Sequence, residues 1–140
     1  YGPGEALDEV NGNVIGIWRS RINREAPIKI VGDGLQRRDF THVDDIVEGL
    51  LRIGFANFYS GEADFQRPSS IDAWELGTGV NYSIKELAEM FQKKTGCNIE
   101  QISDQPGNYR LTLCSDTRAQ DILGWEPKDQ LLYYINNLKF

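Results

Sequence analysis

Two arginines stand side by side in GDGLQRRDFTHVDD (residues 32–45), after a glycine pair and before a helix-start signal, in a chain whose net charge is −6. Arginine suits phosphate and carboxylate because its planar fork donates two parallel charge-assisted hydrogen bonds. Successive residues of an extended segment point to opposite sides, so only one of Arg37 and Arg38 can face a given pocket. The competing reading is a surface ion pair, with either arginine against Asp33, Asp39 or Asp44. His42 is the sole histidine, which leaves no multi-histidine metal site; beside a helix start it reads as a packed or capping group more readily than as a general base. Asp44 and Asp45 suit the positive end of a helix without any catalytic role. Cys97 and Cys114 lack CxxC spacing and read as small buried residues with no role of their own. The sequence contains no GxSxG, HExxH or P-loop motif.

The elements that must position these groups alternate between helix and strand. Val14, Ile15, Trp18 and Ile22 recur at helical spacing, and PIKIVG (27–32) reads as a strand closed by a tight Gly-Asp-Gly turn. From Asp44 onward Ile46, Val47, Leu50, Leu51, Gly54 and Phe58 form one helical face, with Thr41 or Asp44 as cap. Residues 59–70 read as a surface connection and 71–76 (IDAWEL) as a strand. Ser83 and Glu86 form a capping box for a helix with Ile84, Leu87, Ala88 and Phe91 inward and Gly96 at its end. Short strands follow at 98–102 and 109–114, separated by a turn at 105–108, then a helix at 117–123 stopped by Gly124 and a last helix at 130–138. The fold class is α/β: one small mixed domain of helices and short strands over residues 1–140, with too few strands for a complete doubly wound sheet.

Composition bounds the function. At 140 residues, 40% hydrophobic and 26% charged, the chain can build one globular core. Its acidity argues against nucleic acid as a partner, and no apolar run reaches the roughly 18 residues of a membrane span. A cytoplasmic protein is expected. A small anionic ligand stays open, since one or two placed cations suffice for it.

The segments YGPG (1–4), PIKIVGDGLQRRDFTHVDDIVEGL (27–50), WELGTGVNYSIKELAEMF (74–91) and SDTRAQDILGWEP (115–127) together resemble the C-terminal half of the NAD-dependent sugar-nucleotide epimerases and dehydratases, the extended short-chain dehydrogenase/reductases. The resemblance implies an α/β lobe lacking most of the Rossmann sheet, and a partner that is a nucleotide-sugar. It implies that Arg38 contacts the diphosphate, that Asn13 and Val14 contact the nucleotide-sugar, and that Lys29 and Val31 line the base pocket. Where relatives carry R-x-G-D this chain has Gln105-Pro106-Gly107-Asn108, so Gln105 and Asn108 take those positions and Arg110 is a candidate for the missing charge.

In such enzymes NAD is bound mainly by an N-terminal half carrying GxxGxxG and Tyr-xxx-Lys, and a tyrosinate and the cofactor together make a 4-keto sugar. Neither motif occurs in these residues. The resemblance therefore implies a fragment with no catalytic residue and no tightly bound cofactor of its own, whose parent is an isomerase or lyase of carbohydrate metabolism. Removal of the other half implies exposed apolar surface, an unpaired sheet edge and self-association. A stand-alone nucleotide-sugar-binding module and a non-catalytic interaction fragment are the alternatives.

Overall fold

The computed structural model describes residues 1–59 and 73–140. Helix α1 (Val14–Asn23) begins where the Asn13 side-chain oxygen accepts the Gly16 N–H at 2.9 Å, which satisfies one of the donors a helix start leaves free. Strand β1 (Ile28–Val31) follows, with Ile28 and Ile30 buried and Lys29 and Val31 on the opposite face. Gly32 and Gly34, at φ +66° and +72°, turn the chain into β2 (Arg37–Asp39). A β-carbon on Gly34 would also meet the Ile30 side chain at 2.8 Å, so this turn is closed to larger residues.

Helix α2 (Val43–Tyr59), β3 (Asn81–Ser83), α3 (Ile84–Thr95) and β4 (Ile99–Ile102) come next, then α4 (Arg118–Leu123) and α5 (Leu131–Asn137). Strands β1 and β4 pair in parallel, Ile28 opposite Ile99 and Val31 opposite Ile102. Strands β2 and β3 pair antiparallel, Arg37 opposite Ser83. The small mixed α/β architecture read from the sequence is the one observed.

The core forms where α1, α3 and α5 close on β1: Ile15, Trp18, Ile28, Leu87, Phe91 and Ile135 are all essentially inaccessible. Trp18 meets Phe91 edge-on at 5.6 Å and donates its indole N–H to the Lys29 carbonyl at 3.0 Å, so the largest core side chain has both its apolar and its polar needs met. The capping box is complete. Ser83 Oγ accepts from the Glu86 N–H at 3.0 Å, Glu86 Oε2 accepts from the Ser83 N–H at 2.6 Å, and Gly96 ends α3 at φ +72°.

Three expectations are corrected. Neither Thr41 nor Asp44 caps α2: the Thr41 hydroxyl donates to Asp39, and the acceptor for the Asp44 N–H is His42 Nδ1 at 3.2 Å. His42 is buried between Tyr1 and Tyr134, with ring centroids 5.1 and 5.6 Å away, the packed capping group its position suggested. The apolar face of α2 is also not turned inward: Val47, Leu50, Leu51 and Phe55 are 47–59% exposed, while His42, Asp45 and Gly49 form the inner stripe. Asp45 is held there because its carbonyl accepts the Trp125 indole N–H at 2.8 Å and its carboxylate accepts from Lys128 N and Gln130 Nε2 at 3.3 Å.

The third correction concerns strands. Residues 73–76 adopt no strand, since no neighbouring strand of the described residues lies alongside them to supply a ladder. Residues 109–114 reach only a single bridge, Leu111 to Arg37. Side chains replace the ladder beyond it, for Thr112 Oγ1 takes the Asp39 N–H and the Asp39 carboxylate takes the Cys114 N–H. The expected connection at 59–70 lies almost wholly outside the described residues, as do the Phe58 side chain and residues 71 and 72.

Candidate functional site

The cleft lies where the α1 start, the outward face of β1 and β2 converge. It measures about 430 Å³ and brings together Asn13, Val14, Lys29, Val31, Arg38 and Asn108, residues up to 95 positions apart in sequence. Alternation on β1 puts Lys29 and Val31 on this side because Ile28 and Ile30 point into the core. Gln105 and Arg110 are not in its lining. The Arg110 guanidinium instead donates to both oxygens of Asp33 at 3.0 and 3.1 Å. That contact, after the Leu35 N–H, holds the Asp33 carboxyl below its usual range.

The adjacent arginines have opposite fates. Arg37 donates to the Asn81 side-chain and main-chain oxygens at 2.7 and 2.8 Å and pairs with Glu86 at 3.1 Å. Arg38 donates to the Arg37 carbonyl at 2.8 Å and to Asn108 Oδ1 at 3.0 Å, both neutral acceptors. Among the described residues no carboxylate pairs with it. The surface ion pairs to Asp33, Asp39 or Asp44 are therefore not the ones formed.

Asp39 also lines the cleft, with its carboxylate already taken up by donors of the chain. Its carboxylate accepts from Thr41 Oγ1, from the Thr78 N–H and hydroxyl, and from the N–H groups of Gly79 and Cys114, all between 2.7 and 3.3 Å. These bonds tie the 77–79 loop and the 112–114 segment to the strand carrying Arg38. Gly77 packs against Cys114 too closely to carry a β-carbon. Cys114 and Cys97 are free and half-buried, and burial pushes the Cys114 thiol above its usual pKa. No group of side chains among the described residues has metal-ligand geometry.

Sequence reasoning passed over Gln36, Phe40 and Ile84, which also line the cleft. Gln36 is two residues from Arg38, and on an extended segment that spacing returns a side chain to the same face; that period was the available signal. Ile84 was already spoken for as a core residue of α3.

The fold is that of a family of nucleotide-sugar enzymes. The profile of the NAD dependent epimerase/dehydratase family matches residues 1–59, and with the likenesses below the chain belongs to that family, corresponding to part of its longer members. It is 32% identical over 136 residues to UDP-glucuronic acid decarboxylase 2 of Arabidopsis thaliana, covering 94% of this chain and 27% of the relative. It is 31% identical over 130 residues to the UDP-glucose 4-epimerase of Mycolicibacterium smegmatis, covering 91% of this chain and 38% of the relative. The structure superposes on the UDP-glucose 4-epimerase of Thermotoga maritima, solved with UDP-glucose, at a TM-score of 0.76 and 26% identity, over 97% of this chain and 40% of that one. The chain thus spans well under half the length of these relatives.

The family's cofactor is NAD, and the residues described here do not fit it. A dinucleotide needs a strand, a glycine-rich turn and a helix N-terminus in succession, whereas the turn after β1 leads into β2.

Proposed function

We propose that this chain is the substrate-binding part of an NAD-dependent nucleotide-sugar epimerase or dehydratase, its C-terminal lobe, and that it orients a nucleotide-sugar for oxidation at C4 by a part of the enzyme carrying the cofactor. One observation carries the reading: in a chain of net charge −6, the Arg38 guanidinium stands at a cleft and gives its hydrogen bonds to two neutral acceptors. Lys29 adds a second cation to the same lining. A diphosphate would satisfy Arg38, while Val14, Val31, Phe40 and Ile84, with the stem of Lys29, offer a wall to a base.

The chain's own contribution is positioning. Binding energy from the non-reacting diphosphate and base fixes where the sugar ring stands, which converts affinity into orientation of the reacting carbon. Arg38 grips phosphate, Lys29 and Val31 flank the base, Asn13 and Val14 approach from the α1 start, and Asn108 stands beside Arg38, whereas Gln105 and Arg110 lie outside the lining.

Isothermal titration with UDP and UDP-glucose tests this reading. Saturable binding that Arg38→Ala abolishes is the expected result. Absence of binding to the folded wild-type chain would leave a non-catalytic interaction fragment in its place.

The exposed stripe Val47, Leu50, Leu51 and Phe55 on α2 supports a second part of the proposal, self-association of the isolated chain. No helix among the described residues is long and apolar enough to cross a membrane.

A further inference from the structure

Residues 103–110 leave the end of β4 and run past the cleft on the outside of the fold, every one of them exposed, with Asn108 in the cleft lining. Main-chain bonds anchor the two ends: the Gly32 N–H donates to the Ile102 carbonyl and the Arg37 N–H to the Arg110 carbonyl, both at 2.9 Å. Two side-chain hydrogen bonds tie the segment to the β1–β2 part of the fold among the described residues. Asn108 Oδ1 accepts from Arg38 Nη2 at 3.0 Å, and Arg110 Nη1 donates to both oxygens of Asp33 at 3.0 and 3.1 Å.

The two bonds lie in series. Asp33 sits in the turn between the left-handed Gly32 and Gly34, and its carboxylate also accepts the Leu35 N–H at 2.9 Å, so it is aimed before Arg110 meets it. Arg110 is thereby fixed two residues from Asn108, and Asn108 in turn holds Arg38. The other hydrogen bond of the Arg38 guanidinium runs to the carbonyl of its own neighbour, Arg37. The contact with Asn108 is therefore what ties that guanidinium to a segment outside its own strand.

We propose that Asp33 and Arg110 are positioning residues: their ion pair is a latch that holds the 103–110 segment in place and, through Asn108, sets the Arg38 guanidinium for its anionic ligand. A cation already fixed in its bound orientation gives up less freedom when the ligand arrives, so the latch raises affinity without touching the ligand. The Arg110 and Asp33 side chains are 68% and 48% exposed. An ion pair so open to water is weak and screened by salt, which makes its effect severalfold and dependent on ionic strength.

This inference rests on the nucleotide-binding reading above, and the experiment separates the two. Isothermal titration with UDP is run on the wild type, Asp33→Asn, Arg110→Gln, Asn108→Ala and the double variant Asp33→Asn/Asn108→Ala, each beside a thermal melt. Asparagine at position 33 keeps an acceptor for the Leu35 N–H, so the turn is retained while the charge is lost. Asp33→Asn and Arg110→Gln are each expected to weaken UDP roughly three- to fivefold, the range of an exposed ion pair, with the melting temperature nearly unchanged and the loss shrinking at high salt. Because the latch acts through Asn108, Asp33→Asn is expected to add less than about 1.5-fold once Asn108 is alanine. Additive losses, or unchanged affinity in both single variants, overturn the latch and leave the cleft a nucleotide site. Tighter binding by Asp33→Asn overturns it as well, since Arg110 released from Asp33 would then be meeting the phosphate itself. Failure of the folded wild type to bind UDP overturns both readings. Should Asp33→Asn not fold, Arg110→Gln with and without Asn108→Ala makes the same comparison.

Discussion

Arg37 and Arg38 are neighbours of one type on one short strand, yet Arg37 gives its donors to Asn81 and Glu86 on β3 and α3, while Arg38 gives its own to two neutral oxygens at the cleft edge. The pleat of β2 separates them. One face joins the strand to the rest of the fold, and the other presents a cation that no carboxylate of the described residues has neutralised. The two charges differ in their partners, and not in residue type or in burial, both being half-buried.

That contrast is broken most sharply by exchanging the two effects. Arg38→Ala should lower affinity for UDP by about a hundredfold or more, as loss of a charge-assisted contact to a diphosphate implies, and leave the melting temperature nearly unchanged. Arg37→Ala should do the reverse, destabilising by about 1–3 kcal/mol through the lost bonds to Asn81 and Glu86 while nucleotide affinity changes less than tenfold. Paired titrations and melts of the two variants decide it, and equal losses of binding in both would erase the distinction.

Asn108→Asp sharpens it further. A carboxylate at the position of the Asn108 oxygen would pair with Arg38, and UDP binding should weaken severalfold, most at low salt where such pairs are least screened. Affinity unchanged across salt concentrations would show that the neutrality of Asn108 is irrelevant.

On the structural face the capping box supplies a pH test. Glu86 lies below the usual carboxylate range, chiefly because it accepts from the Ser83 N–H and hydroxyl, with Arg37 adding attraction. A carboxylate depressed in the folded state stabilises at pH above its unfolded value, and that contribution fades as pH falls through the folded value. Melts of wild type and Glu86→Gln should therefore differ at pH 7 and converge as the solution is acidified below the usual carboxylate range; a gap that stays constant would remove the charge from the account. Ser83→Ala should cost about 1 kcal/mol of stability, the usual value of a helix cap.

The smallest expected effect concerns α2. Leu50→Lys in the middle of its exposed stripe should shift sedimentation toward the monomer with little change in melting, since Leu50 is 58% exposed. A wild-type chain that already sediments as a clean monomer at high concentration ends the self-association proposal.

How much could be read before the fold was known follows from the range of each interaction. The α3 capping box, its apolar stripe and its terminal glycine involve residues within one or two helical turns, and all of them are where the sequence put them. The same holds for the Gly32–Gly34 turn and the α4 stop at Gly124, where a left-handed backbone favours glycine. The strand expected at 71–76 failed in its described part, and that at 109–114 fell to a single bridge. Strands depend on partners supplied by distant sequence.

By itself the sequence determined which residue types were available and on which face of each local element they would lie, because helical and strand periods act over a few residues. It therefore placed Arg37 and Arg38 on opposite sides, and Lys29 with Val31. Tertiary structure decided which side was which: Asn81 and Glu86, more than 40 positions away, took Arg37, and Asn108, 70 positions away, came to rest on Arg38 without a charge. It also decided that Gln36 would be buried in the cleft wall, its side-chain amide tied to the Val31 carbonyl. Contacts at such separations are fixed only when the whole chain has packed.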